Sequence, residues 1–331
     1  MARLIRTALN SHTPGSLFSK VAVLAASVRP GGPHRFPVLL VNGGELGAPR
    51  ACLHFHDWPS VGTDGQRPRY GTMPVMRAKS VYQEELQPVA VAVDAVVAQT
   101  FEAEAGSLFT PGVPLWSTAN LTELKQRFID QPDESDATFE EKLKKQLSGA
   151  SDPAFQLMAE VLYIYYMVAA QIHGKTKIES VRDVLRWMKQ PVEIPQSLVT
   201  AADHGLSNTG IFYVTNKPFQ LWFLINAALA WRQRSPAERK ALLADPWAFK
   251  AFLLKVPDTR AVPMRMALLH IVFPETFEII ISANHKKLIC AAFPDIAPGE
   301  GDEDRKLLAI KKTLPPEPKT IWTFYGDGIK P

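Results

Sequence analysis

The chain has 331 residues, 46% hydrophobic and 21% charged, a composition that excludes a fibrous or wholly disordered protein and leads us to expect two globular domains. A formal net charge of +4 and a pI near 8.9 permit a nucleic-acid partner without requiring one. The two cysteines, Cys52 and Cys290, are too far apart in sequence to suggest a zinc pair or a disulfide framework, and a reducing cytoplasm is the expected location.

The apolar run Val21 to Val28 follows Arg3 and Arg6 as in a secretory signal, but Lys20 abuts it and Pro30-Gly31-Gly32 ends it, so export is not expected. The region to about Pro114 is rich in Pro and Gly. Its short β-prone runs, Phe36 to Val41, Ala51 to Phe55 and Val89 to Val97, are separated by turn signals. For the last run a helix from Pro88 to Gln99 fits nearly as well, because Ala90, Ala92 and Ala95 weaken the strand pattern.

From Trp116 the spacing becomes helical. Phe139, Leu143 and Leu147 share one stripe with charged residues on the other faces, so this helix should lie on the surface. Phe155 to Ala170 is apolar nearly all round and should be the central helix. Its best apolar stretch, Met158 to Ala170, falls short of the roughly 20 residues that span a bilayer, and no membrane insertion is expected. Ser235-Pro236-Ala237-Glu238 has the layout of a capping box, and Asp245-Pro246-Trp247 opens another helix with Trp247 expected in the core. After Phe293 a stretch rich in Pro, Gly and acids leads to a short helix, Glu303 to Lys312, then to Leu314-Pro315-Pro316 and the aromatic, β-prone Ile321 to Tyr325.

The expected fold class is therefore α+β. A small β-rich or mixed domain should occupy residues 1–114, an all-α domain residues 115–293, and a linker and tail residues 294–331.

Chemical motifs are few. Gly174-Lys175-Thr176 ends like a phosphate loop, but Ala169 stands where that loop needs its first glycine, so a helix C-cap at Gly174 is the better reading. His54 and His56 would share one strand face, yet no third ligand is evident and no metal is expected. There is no G-x-S-x-G elbow, and neither thiol has an identifiable base, so no catalytic residue and no cofactor are expected. Two basic clusters stand out. Asn284-His285-Lys286-Lys287 opens a late helix where His285, Lys286 and Lys287 could meet phosphate. Arg232, Arg234, Arg239 and Lys240 straddle a turn and read as a solvated face. Ser207 to Gly210 reads as a polar turn.

Several segments in order resemble the helical region that precedes the AAA+ module of bacterial McrB-like restriction and defence NTPases. They are Phe139 to Leu147, Ala159 to Tyr163, Asn208-Thr209-Gly210, Leu243 to Phe249, and Leu268 to Glu278 leading to Ser282 and His285-Lys286. In that family the segment resembling Trp322-Thr323-Phe324-Tyr325-Gly326-Asp327 lies just ahead of the motor. The resemblance implies a recognition and adaptor role, with DNA, including modified DNA, as target and with a GTPase or ATPase module and a nuclease subunit as partners. It leaves homo-oligomerisation open. A purely protein-docking role and a metal-dependent hydrolase at His54 and His56 are the competing expectations. Trp58 and Tyr70 are the kind of side chain a flipped-base pocket uses.

Overall fold

The computed structural model describes Tyr82 and residues 84–313, apart from 258 and 300, and all of them lie in the unit Pro74–Pro331. The runs Phe36 to Val41 and Ala51 to Phe55, His54, His56, Trp58, Tyr70, Cys52 and the tail from Leu314 lie outside the described residues.

Among the described residues there is no strand, which overturns the α+β expectation; one isolated bridge joins Ala169 and Ser207. The decisive segment is Val89 to Val97. It folds as a helix, α1 (Gln87–Val96), with Pro88 in its first turn. Val89, Ala90, Ala92, Val93 and Val96 are all buried, a 3.6-residue period that β-branched propensity cannot override once both flanks of the stripe find partners. A π-helical turn, Val97–Glu102, extends it.

The remaining helices are α2 (Thr118–Phe128), α3 (Phe139–Gln146), α4 (Asp152–Val168), α5 (Gly174–Leu185), α6 (Gln196–Ala201), α7 (Gly210–Thr215), α8 (Lys217–Arg232), α9 (Pro236–Ala244), α10 (Pro246–Leu254), α11 (Val262–Val272), α12 (Ala283–Ala292) and α13 (Glu303–Thr313). As its sequence predicts, α4 is the central helix, buried from Ala154 to Val168, and α1, α2, α5 and α8 pack around it. Leu143 and Leu147 of the α3 stripe are buried while its Glu and Lys side chains face out.

The caps behave as their residue types require. Thr138 and Ser235 each form both halves of a capping box, with Glu141 and Glu238. Asp245 accepts from the N–H groups of Trp247 and Ala248. Two expectations need correction. Trp247 is only half-buried, its ring edge-on to Phe277 and covered by the Arg305 guanidinium at 3.9 Å, and Phe249 takes the core position instead. Gly174 opens α5 rather than closing a helix, and a Cβ there would lie 2.8 Å from the Asp203 Cα, so the close approach of that backbone calls for glycine.

A 20-residue pattern recurs at the C-terminal end. Helix α11 ends at Phe273-Pro274 and α12 at Phe293-Pro294, with matching backbone turns from Phe277 N–H to Phe273 O and from Ala297 N–H to Phe293 O, both 3.0 Å. The next helix is then capped by Ser282 in one case and by Asp302 in the other. The second copy buries little: Ile280, Ile289, Cys290 and Leu307 form a small cluster separate from the main core.

Candidate functional site

The three expected phosphate contacts fall on the first turn of α12, after the Ser282 cap, and the fold does not present them together. His285 and Lys287 are exposed. Lys286 is 3% exposed, and its Nζ donates to Asp304 Oδ1 at 2.5 Å. Its charge is matched inside the protein, so it cannot reach a phosphate while α13 stays in place.

Half of the second basic cluster, Arg232 and Arg239, is a brace, whereas Arg234 and Lys240 are exposed, as expected of a solvated face. Arg232 donates to the carbonyls of Thr100 (2.7 Å) and Ala103 (3.0 Å), the groups a helix leaves open at its C-terminal end. Burial pulls its pKa down to about 10. Arg239 Nη2 lies 2.8 Å from both carboxylate oxygens of Glu104.

Several other buried ionisable groups stabilise loops. Glu160 of α4 accepts from Ser107 Oγ (2.6 Å), Leu108 N–H (2.9 Å), Phe109 N–H (3.0 Å) and Trp116 Nε1 (2.6 Å), which pins the 107–116 loop. Burial pushes its carboxyl above the usual range while these donors pull it back. His270 donates from Nδ1 to Phe277 O (2.7 Å) and accepts at Nε2 from Tyr82 OH (2.5 Å). Burial is the first cause that takes this imidazole down to about 4. Lys177, lowered to about 8 by burial, donates to His204 O at 2.5 Å. Among the described residues no three His, Cys, Asp or Glu side chains gather closely enough to hold a metal ion.

The accessible chemistry lies elsewhere, on α7. Ile211, Phe212 and Val214 are 81%, 53% and 39% exposed, whereas Tyr213 between them is fully buried. Tyr213 stacks on Tyr165 (4.7 Å between centroids, 4° between planes) and donates to Tyr165 O at 2.9 Å. The loop before α7 is equally fixed. Ser207 N–H donates to Val168 O, Ala170 N–H to Ser207 O, and Gln171 holds both the N–H and the hydroxyl of Thr209. A Cβ on Gly205 would come within 2.4 Å of Ala170 Cα, so this chain approach needs glycine. The result is a rigid knuckle that holds three apolar side chains in water. Residues 205–216 contain no charged side chain, and a six-residue helix cannot turn four consecutive apolar residues inward; that combination is the signal in the sequence.

A second feature is a cavity of about 250 Å³ between α10, α11, α12 and the start of α13. Leu254, Val262, Met266 and Leu269 form apolar walls, and Lys250, Lys286 and Asp304 lie along one side. Lys250 Nζ contacts both oxygens of Asp302 at 2.7 Å and Asp304 Oδ2 at 2.6 Å. Leu254 (56%), Val262 (39%) and, on α12, Leu288 (49%) are exposed.

In comparisons with known proteins, no family model, no curated protein and no solved structure matches this chain. Among the described residues no helix is long and apolar enough to cross a membrane.

Proposed function

We propose that this chain is a non-catalytic adaptor whose helical unit docks a partner protein through the α7 knuckle. The carrying observation is the contrast within one turn, where Tyr213 is anchored and Ile211 and Phe212 are held out in solvent. An exposed apolar cluster costs solubility, and one that is rigidified loses little entropy on binding, which is the design of an interaction hot spot. The buried ionisable groups Glu160, His270, Lys177, Lys286 and Asp304, by contrast, are occupied in holding loops and helices together. The segments resembling McrB-like proteins support a restriction or defence setting in the bacterial cytoplasm, with an NTPase motor and its nuclease as partners; this is argument by analogy.

Nucleic-acid contact belongs to a different part of the chain in this reading. Residues 1–80 carry ten Lys and Arg against three Asp and Glu, whereas the remaining residues carry 27 against 30. Such an imbalance supports a polyanion-facing N-terminal segment and a body that contributes little to phosphate binding.

The test is co-purification of the full chain with an NTPase and nuclease encoded beside it. The wild type should retain them, and the Ile211→Asp, Phe212→Asp double variant should lose them at an unchanged melting temperature. Retention by the variant, or nucleotide turnover by the chain alone, would sink the proposal. In anisotropy titrations against duplex DNA at several salt concentrations, Lys287→Ala should leave the salt slope unchanged.

A further inference from the structure

The charges around the cavity are sorted by element. The cations that line it come from the body: Lys250 on α10, Arg265 on α11, and Lys286 and Lys287 on α12. The carboxylates come from α13 and its cap: Glu303 and Asp304 in the lining, and Asp302, which holds Lys250 from beside it. With α13 in place these four cations face three anions; without it no carboxylate is left in the lining. We propose that α13 is an autoinhibitory strap, its carboxylates occupying a basic face that otherwise takes the phosphates of a nucleic-acid backbone. Closed, the body adds little to phosphate binding, in keeping with the reading above; open, it presents Lys250, Lys286 and Lys287 to one side. The inference does not rest on docking at α7.

Three features make α13 separable from the body. Its attachment is largely ionic. It packs chiefly on α12, and of its 11 residues only Asp304, Leu307 and Ile310 are buried. Leu307 belongs to the small cluster apart from the main core. Lys250 with Asp302 and Asp304, Lys286 with Asp304, and Lys311 with Glu278 supply the remaining hold. Phosphate oxygens can take over such ammonium groups, so those bonds are exchanged on opening rather than lost. The link is hinged. Gly299 (φ +71°) and Gly301 (φ +149°) lie between α12 and α13, and a Cβ on Gly299 would meet nothing within 4 Å, so the link can turn without dragging packed side chains. Finally, the first turn of α13 borders the cavity of about 250 Å³, so it does not close onto a tightly packed surface there. Beneath that turn lies Cys290 of α12, 6% exposed, its thiol donating to Glu303 O at 3.6 Å. That thiol reports whether the strap is open.

Asp302→Asn together with Asp304→Asn discharges the strap in the full chain. Asparagine at 302 still accepts from the N–H groups at 304 and 305, so the helix keeps its cap. In a Cys52→Ser background Cys290 is the single thiol. Iodoacetamide should then alkylate it at least about tenfold faster in the double variant than in the wild type, at unchanged helicity. In titrations with duplex DNA the slope of log K against log salt should steepen by about 2, as Lys250 and Lys286 each neutralise a phosphate. Adding Lys286→Gln should take back about 1 of that. Unchanged alkylation overturns the proposal, as does faster alkylation with the wild-type slope. So does a steeper slope that Lys286→Gln leaves in place, since lost acidity alone would then account for it. Should circular dichroism show the double variant unfolded, the wild type decides. Between about 0.05 and 0.5 M NaCl, which favours the separated ions, Cys290 alkylation should accelerate while helicity holds, and a constant rate overturns the proposal.

Discussion

Lys286 of α12 and Asp304 of α13 form a buried ion pair, Nζ to Oδ1 at 2.5 Å, with side chains 3% and 6% exposed. Asp304 also receives Lys250 from α10 at 2.6 Å, so one carboxylate ties three helices together where the apolar cluster is smallest. Asp304→Ala leaves the buried Lys286 ammonium without a counter-charge, while Lys250 keeps Asp302, and should cost about 3 to 5 kcal/mol in urea unfolding. Lys287→Ala, one residue from the pair and exposed, should change stability by less than about 0.5 kcal/mol. Equal effects would mean that the pair contributes nothing specific.

That pair also marks where sequence reasoning stops. Helix α4, the α3 stripe, the Ser235 box and the Asp245 cap are local patterns, set by residues within two turns of one another, and all were legible. Lys286 looked like its neighbour Lys287 because its partner lies 18 residues on, beyond a turn whose path the sequence does not state. Glu160 was one glutamate among many until the loop 107–116 folded over it. Ile211 to Val214 resembled any apolar run, and only the anchoring of Tyr213 by Tyr165 turns its neighbours outward.

His270 makes stability depend on pH. The fold holds its imidazole neutral, with a pKa lowered first by burial to about 4, against 6.5 for the free side chain. Between those values the unfolded chain binds a proton that the folded chain does not. The contribution is therefore complete above pH 6.5, declines as pH falls, and is lost once pH reaches about 4; the interval corresponds to about 3 kcal/mol. Wild type and His270→Gln, unfolded in urea at several pH values, should diverge least at pH 4 and most at pH 7. A constant difference would show that the imidazole does not titrate between the two states.

Among the described residues, Glu160 is the sole acceptor for the Trp116 indole N–H and for the backbone N–H groups of Leu108 and Phe109. Glu160→Ala leaves these donors buried and unpaired, which should destabilise by about 3 kcal/mol or more. Trp116 is 2% exposed, and its fluorescence should shift red as water enters. Glu160→Gln should cost less, since one amide oxygen still accepts while its NH2 faces donors. Unchanged emission in Glu160→Ala would show that the loop is held by its apolar contacts alone.

Two glycines flank the knuckle and should respond differently to one added methyl. At Gly210, φ is +68° but nothing lies within 4 Å of a Cβ, so Gly210→Ala carries only the left-handed backbone cost, about 1 kcal/mol. At Gly205 the methyl would lie 2.4 Å from Ala170 Cα and 2.5 Å from Ala170 N, atoms that cannot swing aside like a side-chain tip. Gly205→Ala must push the loop off the end of α4, stretching the bonds from Leu206 N–H to Met167 O and from Ser207 N–H to Val168 O, at a cost of about 3 kcal/mol. The same shift moves α7, because that loop sets where the knuckle begins. Gly205→Ala should therefore weaken docking well below its melting temperature although no contact side chain has changed, and Gly210→Ala should dock nearly as the wild type does. If Gly205→Ala docks normally once it is folded, the knuckle is positioned by the Tyr213 anchor alone and the loop before it is only a tether.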